Sequence, residues 1–300
     1  MIDIHDLEIT LGHKNIIKKV DVHVGENEFV GLIGPNGSGK STMLKAVYRV
    51  ISKYEGDIMV MGDELKRMTI HESALRTSVV PQHTYSPFDF KVIDVVLMGR
   101  SPHKKSMEFD NAEDRAIATE ALKKVDMFEF ADRSFFTLSG GEQQRIVLAR
   151  AMAQQTPCMV LDEPTNHLDI KYQLQLMDVV KSLGLTVLAA LHDLNIAAEY
   201  CDKLYLLKNG EVYAYGTPEE VLTPKNIMAV YGAEAIVTRS SNTGFLHIEY
   251  VSNHAKTARG EKTRPGWKEP RFFKTRTASA DAVGSRRPGR PPGAFGLIAF

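Results

Sequence analysis

Cysteine is scarce. Only Cys158 and Cys201 occur in 300 residues. Both stand in apolar surroundings and neither has the spacing of a metal ligand, which argues against a disulfide framework or a thiolate metal centre. Buried, reduced thiols in a reducing compartment are the expectation. Long apolar runs are also missing: none approaches the roughly 18 residues that a membrane-spanning helix needs. The start, Met1-Ile2-Asp3-Ile4-His5-Asp6, has no basic stretch followed by an apolar core, so no signal peptide is expected. The expectation is a soluble cytoplasmic protein whose membrane role, if any, comes through a partner.

Net charge is absent too, with 37 Lys+Arg against 37 Asp+Glu, but the balance is uneven. Residues 254–300 hold 11 basic and 3 acidic side chains, leaving 26 basic and 34 acidic in the other 253. The same tail holds 5 of the 13 prolines and 6 of the 22 glycines, and Arg286-Arg287-Pro288-Gly289-Arg290-Pro291-Pro292 cannot build a core. It reads as disordered. A basic, Pro-rich tail can touch acidic lipid or nucleic acid, or it can be an unselected extension. The rest is apolar enough for a sizeable core, and the length allows one large or two small domains.

What is present centres on Gly34-Pro35-Asn36-Gly37-Ser38-Gly39-Lys40-Ser41-Thr42. This is the G-x-x-x-x-G-K-[ST] phosphate-loop pattern. Glycines let backbone N–H groups close around phosphates. Lys40 brings a point charge to the β- and γ-phosphates of a nucleotide, and Ser41 offers a hydroxyl to Mg²⁺. The apolar run 28–33 before it reads as a buried strand, and 42–48 after it as a helix whose N-terminus attracts anions.

Along the chain, 2–24 read as two or three antiparallel strands with turns at Gly12-His13 and Gly25-Glu26. Strands are expected at 56–61, 78–82, 158–161 and 185–191, and a hairpin joins 203–208 to 211–215 across Asn209-Gly210. Helices are expected at 71–76, 91–99, 111–125, 146–154, 174–182, 195–201, 218–222 and 226–231. The polar stretch 100–110 reads as a surface loop. Ser139 is a plausible N-cap with Gln143 at a capping-box-like distance, and Gly140-Gly141 make a second helix start able to take an anion.

Cys158-Met159-Val160-Leu161 runs into Asp162-Glu163. Two carboxylates at the end of a buried strand are costly unless they meet a cation. Mg²⁺ supplies one, with Asp162 suited to the metal sphere and Glu163 to general base for water. His192 ends another apolar strand, where a γ-phosphate contact fits it better than a structural role. Gln82, at a strand end, is a solvated loop residue or a site residue with even claims.

Together these stretches resemble the ATP-binding subunit of an ABC transporter. The carriers are Gly34 to Thr42 (Walker A), Gln82 (Q-loop), Leu138-Ser139-Gly140-Gly141-Glu142 (signature), Cys158 to Glu163 (Walker B), Asn166-His167-Leu168-Asp169 (D-loop) and His192 (switch histidine), in the family's order. The signature is nearly diagnostic. The resemblance covers about residues 2–252. It implies an α/β, RecA-like P-loop NTPase core with an antiparallel β subdomain and a helical subdomain at about 83–155.

The resemblance further implies a head-to-tail homodimer with two ATP molecules in its interface. Each ATP would sit on Lys40, Ser41 and Thr42 of one copy and be closed over by Ser139, Gly140 and Gly141 of the other. Gln82 would bridge Mg²⁺ and water, Glu163 would polarise the water, His192 would hold the γ-phosphate and Asp169 would link the two sites. The family usually stacks adenine on an aromatic residue. Leu11 stands at the nearest position, with His13 beside it, so that stacking is weaker or comes from elsewhere.

Leu97-Met98-Gly99-Arg100-Ser101-Pro102-His103, Ala112-Glu113-Asp114-Arg115 and Leu191-His192-Asp193-Leu194-Asn195 look like importers of iron-siderophore, haem or cobalamin complexes. So do Tyr200-Cys201-Asp202, 216–222 and 230–232. That subfamily implies two membrane permeases, a substrate-binding protein reached indirectly, and a place on the cytoplasmic face of the inner membrane. The alternatives are the ATPase of another metal importer and a non-transport ABC protein acting on nucleic acid or ribosomes. The latter usually has two cassettes or long coiled coils, and this chain shows one cassette and no sustained heptads, so no nucleic acid partner is expected.

Overall fold

The computed structural model describes residues 1–82, 89–105, 107–166 and 168–252. Strands β1 (Ile2–Leu11) and β2 (Lys14–Val24) form the expected hairpin, paired from Ile2–Val24 to Leu11–Lys14. Their apolar side chains Ile2, Ile4, Leu7, Ile9, Ile17, Val20, Val22 and Val24 are all buried, and most of the residues between them face water. That alternation is what one buried sheet face demands.

The chain then enters β3 (Phe29–Ile33), passes the phosphate loop and continues as helix α1 (Lys40–Val47). Strands β4 (Glu55–Val60) and β5 (Asp63–Glu64) return to the first sheet, whose order is β2-β1-β4-β5. Helix α2 (Ile70–Arg76) leads into β6 (Thr77–Val80). Helices α3 (Val92–Leu97), α4 (Ala112–Lys124) and α5 (Gly140–Ala153) pack on one another. Next come β7 (Cys158–Asp162), α6 (Ile170–Ser182), β8 (Thr186–Ala190), α7 (Leu194–Tyr200), β9 (Lys203–Lys208) and β10 (Glu211–Gly216).

The second sheet runs β10-β9-β3-β8-β7-β6, parallel from β9 to β6, with β10 antiparallel at one edge. Every residue of β3, β7 and β8 is buried, because a parallel sheet is covered on both faces. One face meets α1 and the first sheet through Val30, Leu32, Val160 and Leu188 against Met43, Leu44, Ile4 and Leu7. The other carries Ile33, Met159, Leu161 and Ala189 against the helices. The phosphate loop, the carboxylates after β7 and His192 after β8 therefore all emerge at one end of adjacent parallel strands. That end is where open α/β sheets bind ligands.

Several expectations need correcting. The first residues of the expected surface loop 100–110 belong instead to a 3-10 helix, Met98–His103. Arg100 within it is 6% exposed: its Nε donates to Asp114 at 3.0 Å, and an Nη donates to Ala153 O at 2.8 Å and to Gln155 Oε1 at 2.9 Å. A buried arginine is tolerated because each charge meets a partner. Helix α5 begins at Gly140 with Ser139 as its N-cap, as expected of that helix start, whereas α6 begins at Ile170 rather than 174.

The capping-box partner of Ser139 is Glu142, not Gln143. Glu142 N–H donates to Ser139 Oγ at 3.4 Å, and Ser139 N–H donates to Glu142 Oε2 at 2.7 Å. Gln143 instead donates to Phe135 O and Leu138 O. After α8 (Pro218–Val221) and α9 (Pro224–Tyr231), residues with no expected element form a hairpin, β11 (Glu234–Arg239) and β12 (Leu246–Val251). His167, the start of the expected helical stretch at 83–88, and the tail 254–300 lie outside the described residues. Among the described residues no helix is long and apolar enough to cross a membrane.

Candidate functional site

The phosphate loop is shaped by close approach. Gly34 has φ +148°, and a Cβ there would stand 2.4 Å from Leu207 O; Gly39 has φ +108°, and a Cβ would stand 2.4 Å from Ile17 Cδ1. Only glycine accepts that backbone at that spacing. The hairpin turn Asn209-Gly210 buttresses the loop, with Gly210 N–H donating to Ser38 O at 3.1 Å. Asn36, Gly37, Gly39, Lys40, Ser41 and Thr42, together with Glu163, line a cavity of about 110 Å³.

Lys40 is 4% exposed, and its ammonium donates to Gly34 O at 2.7 Å and to Pro35 O at 3.3 Å. The ammonium lies across the mouth of the loop, held by carbonyls that phosphate oxygens can replace. Burial pushes its pKa below the ordinary 10.5, opposed by the charges of Glu163 and Asp162.

Asp162 is fully buried at the end of β7. Its Oδ2 accepts from the Tyr48 hydroxyl at 3.2 Å, and its Oδ1 has no hydrogen-bond partner. A carboxylate oxygen orphaned in a dry site is costly unless a cation or its water meets it. Hard oxygen donors, Asp162 and the Ser41 hydroxyl, beside a phosphate cradle suit Mg²⁺. Burial pushes the Tyr48 phenol well up, with help from Asp162, so it stays a donor.

Glu163 carries the most constrained backbone here. Its φ of +53° lies in the left-handed region, which for such a residue costs on the order of 1–3 kcal/mol. Its N–H donates to Ala190 O at 3.1 Å, its carbonyl accepts from Asn166 N–H at 3.3 Å, and Pro164 follows. The twist turns its carboxylate toward the loop. Oε2 accepts from the amides of Gln82 and of Asn166, the latter at 2.6 Å, and Oε1 pairs with His192 Nε2.

Gln82, Glu163 and His192, which the sequence placed in one site, thus meet on one carboxylate. Asn166, a D-loop residue to which the resemblance gives no such contact, and Tyr48, which carries no motif, complete the two carboxylates' surroundings. Asn166 could have been suspected three residues after Glu163, whereas nothing in the sequence joins Tyr48 to Asp162.

Ser139, Gly140 and Gly141 stand elsewhere, at the N-terminus of α5, and none of them lines the loop cavity among the described residues. Ser139 holds the Glu142 carboxyl below its ordinary 4.5. Gly140 is exposed, with space around a would-be Cβ, and Gly141 packs on Leu168. Leu11, at the expected adenine position, is 46% exposed at the end of β1.

The ABC transporter family model matches residues 17–166. The hemin import ATP-binding protein HmuV of Pseudomonas fluorescens is 38% identical over 252 residues, covering 81% of this chain and 97% of the relative. The cobalamin import ATP-binding protein BtuD of Halobacterium salinarum is 36% identical over 261 residues, covering 86% of this chain; the chain spans 65% of that relative's length. The petrobactin import ATP-binding protein FpuC of Bacillus anthracis is 38% identical over 240 residues, covering 79% of this chain and 88% of the relative.

A solved chain described as a metal-chelate type ABC transporter in an inward-facing conformation superposes with TM-score 0.73 at 26% identity, covering 84% of this chain and 98% of that one. The dimeric cassette MJ0796 gives TM-score 0.65 at 29% identity, covering 73% and 99%. The family match over 17–166 and the identity to these relatives along most of the chain show that it belongs to the ABC transporter family, as an ATP-binding subunit.

Proposed function

We propose that this chain hydrolyses ATP, with Mg²⁺, as the ATPase of an ABC importer for an iron complex (siderophore or haem) or cobalamin. The observation that carries the reading is Glu163, oriented by Gln82, Asn166 and His192 and lining the same cavity as Lys40. Residues 2–252 are the ATP-binding domain, with a helical subdomain at about 83–155.

In this reading backbone N–H groups from Gly34 to Thr42 hold the phosphates, and Lys40 leaves its loop carbonyls for the β- and γ-oxygens. Ser41 and Asp162 hold Mg²⁺, with Gln82 beside them; when bound, the ion neutralises charge on the phosphates. Glu163 accepts a proton from water as the water oxygen attacks the γ-phosphorus. The bond from that phosphorus to the β–γ bridging oxygen breaks, leaving ADP and phosphate, and His192 steadies the γ-phosphate oxygens. Positioning and charge neutralisation supply the catalysis.

The cavity supports a dimer. About 110 Å³ is small beside the ~300–1,000 Å³ of ordinary ligand pockets, so one copy walls only part of a nucleotide. Ser139, Gly140 and Gly141 of a second copy, at an uncovered helix N-terminus, supply the missing wall. A groove of about 640 Å³ between α2, the 98–103 turn and α5, lined by Ile70, Met98 and Pro102, suits a helix of a permease. Two permeases then place the subunit on the inner face of the membrane, with the substrate-binding protein reached only through them. The importer relatives support this substrate class; the reading assigns no residue of this site to the solute.

Glu163→Gln tests the chemistry. Turnover should fall about 10²–10⁴-fold while ATP stays bound in a dimer. Undiminished turnover refutes the base assignment. Growth on single iron sources with and without the gene tests the solute, and uptake unaffected for every iron complex and for cobalamin refutes the importer class.

A further inference from the structure

Tyr48 ends α1, one helix length away from the phosphate loop that begins it. Its hydroxyl donates to Asp162 Oδ2 at 3.2 Å across 114 residues of chain. The other oxygen, Oδ1, is buried with no partner. Torsion about the carboxylate bond of an aspartate is broad and roughly two-fold, so intrinsic preference does not choose which oxygen of Asp162 faces which way. Pinned at Oδ2, it presents Oδ1 in one direction.

We propose that Tyr48 is a positioning residue for the metal ion: its hydroxyl fixes the Asp162 carboxylate so that Oδ1 is pre-aimed at Mg²⁺ or at a water bound to it. This rests on the reading of Asp162 and Ser41 as the groups that hold Mg²⁺. Partners that orient a ligating carboxylate commonly carry a large part of metal affinity. The rigid α1 joins the two ends of the site, so the loop that binds phosphates and the hydroxyl that aims the carboxylate move as one body. A residue needed only to fill space would serve as well without its oxygen, because the ring is half-buried against the groove wall.

Tyr48→Phe keeps the ring and removes that oxygen. Mn²⁺ is the probe, titrated by electron paramagnetic resonance into the full chain holding a non-hydrolysable ATP analogue. The variant should bind Mn²⁺ about 10–100-fold more weakly than the wild type. Its affinity for the same analogue in EDTA should be unchanged, which also shows that the variant is folded. Equal Mn²⁺ affinity in the two proteins overturns the proposal, and so does a parallel loss of analogue binding in EDTA, which marks a packing role. If the wild type itself takes up neither Mn²⁺ nor analogue, the ATPase reading falls and the proposal falls with it. Wild-type binding with an unaffected variant removes the Tyr48 role alone.

Discussion

Arg100→Met removes the centre of a buried polar cluster on which the helical part of the protein depends. The wild-type guanidinium serves Asp114, Ala153 O and Gln155 Oε1 at 2.8–3.0 Å. Asp114 also takes Lys104 at 3.3 Å and closes the capping box of α4 with Asn111. Losing one partner of a buried pair ordinarily costs about 3–5 kcal/mol. Lys104 stays behind to neutralise Asp114, so the lower end, about 3 kcal/mol, is expected. At about 2–4 °C per kcal/mol for a domain of this size, the melting midpoint should drop about 6–12 °C.

The pH dependence follows from the Asp114 carboxyl. Burial raises its pKa, but the bonds from Arg100, Asn111 and Lys104 outweigh that and hold it below the ordinary 3.8. A depressed carboxyl stabilises the fold above its unfolded pKa, and that stability is lost as pH falls through the folded value. The gap between wild type and Arg100→Met, read by urea denaturation at a series of pH values, should therefore be widest near neutrality and close below about pH 4. Arg100→Met combined with Asp114→Leu should recover part of the loss, since no buried carboxylate is left unmatched and Lys104 keeps Asp110, while the α4 capping box is given up. A single variant as stable as wild type at pH 7, or a gap that persists unchanged in acid, refutes the reasoning.

Two further outcomes follow from the phosphate loop. Gly210→Ala puts a Cβ 2.2 Å from Ile16 O at φ +83°, where backbone cannot yield, so both stability and ATP affinity should fall; Gly184→Ala, at φ +61° with open space around it, should lose only about 1 kcal/mol and bind ATP normally. Equal effects of the two would remove the buttress role of the 209–210 turn. Lys40→Met should abolish ATP binding yet stabilise the nucleotide-free protein at pH 7. Burial keeps the folded pKa of Lys40 below its unfolded value, so the folded state releases a proton more readily, wild-type stability rises as pH climbs from the folded value toward 10.5, and the advantage of the variant fades over that range. A variant less stable than wild type at pH 7 by thermal melting contradicts this sign.

What could be read from the chain alone was local. The glycine spacing of 34–42 dictates a phosphate loop because few backbones other than glycine's reach φ +148° or +108°. Apolar runs ending in Asp162-Glu163 and His192 declare buried strands with polar tips, and β3, β7 and β8 are buried throughout. The Asn209-Gly210 turn is a two-residue signal that needs no tertiary help.

Tertiary structure decided where charge could be hidden. The polar stretch 100–110 looks solvated until Asp114 and the end of α5 close over Arg100. The 234–251 hairpin has a sequence signal in the alternation Leu246-His247-Ile248-Glu249-Tyr250, but the partner strand Glu234–Arg239 has none as clear, and each strand buries a single side chain, Ala235 and Ile248. The bond from Tyr48 to Asp162, and the meeting of Gln82, Asn166 and His192 on Glu163, join residues far apart in sequence. Composition and spacing name the chemical groups. Only the packing of α1 between two sheets, and the parallel order of β3, β8, β7 and β6, brings them within hydrogen-bonding range, because that distance is set by the whole core and not by any short stretch of chain.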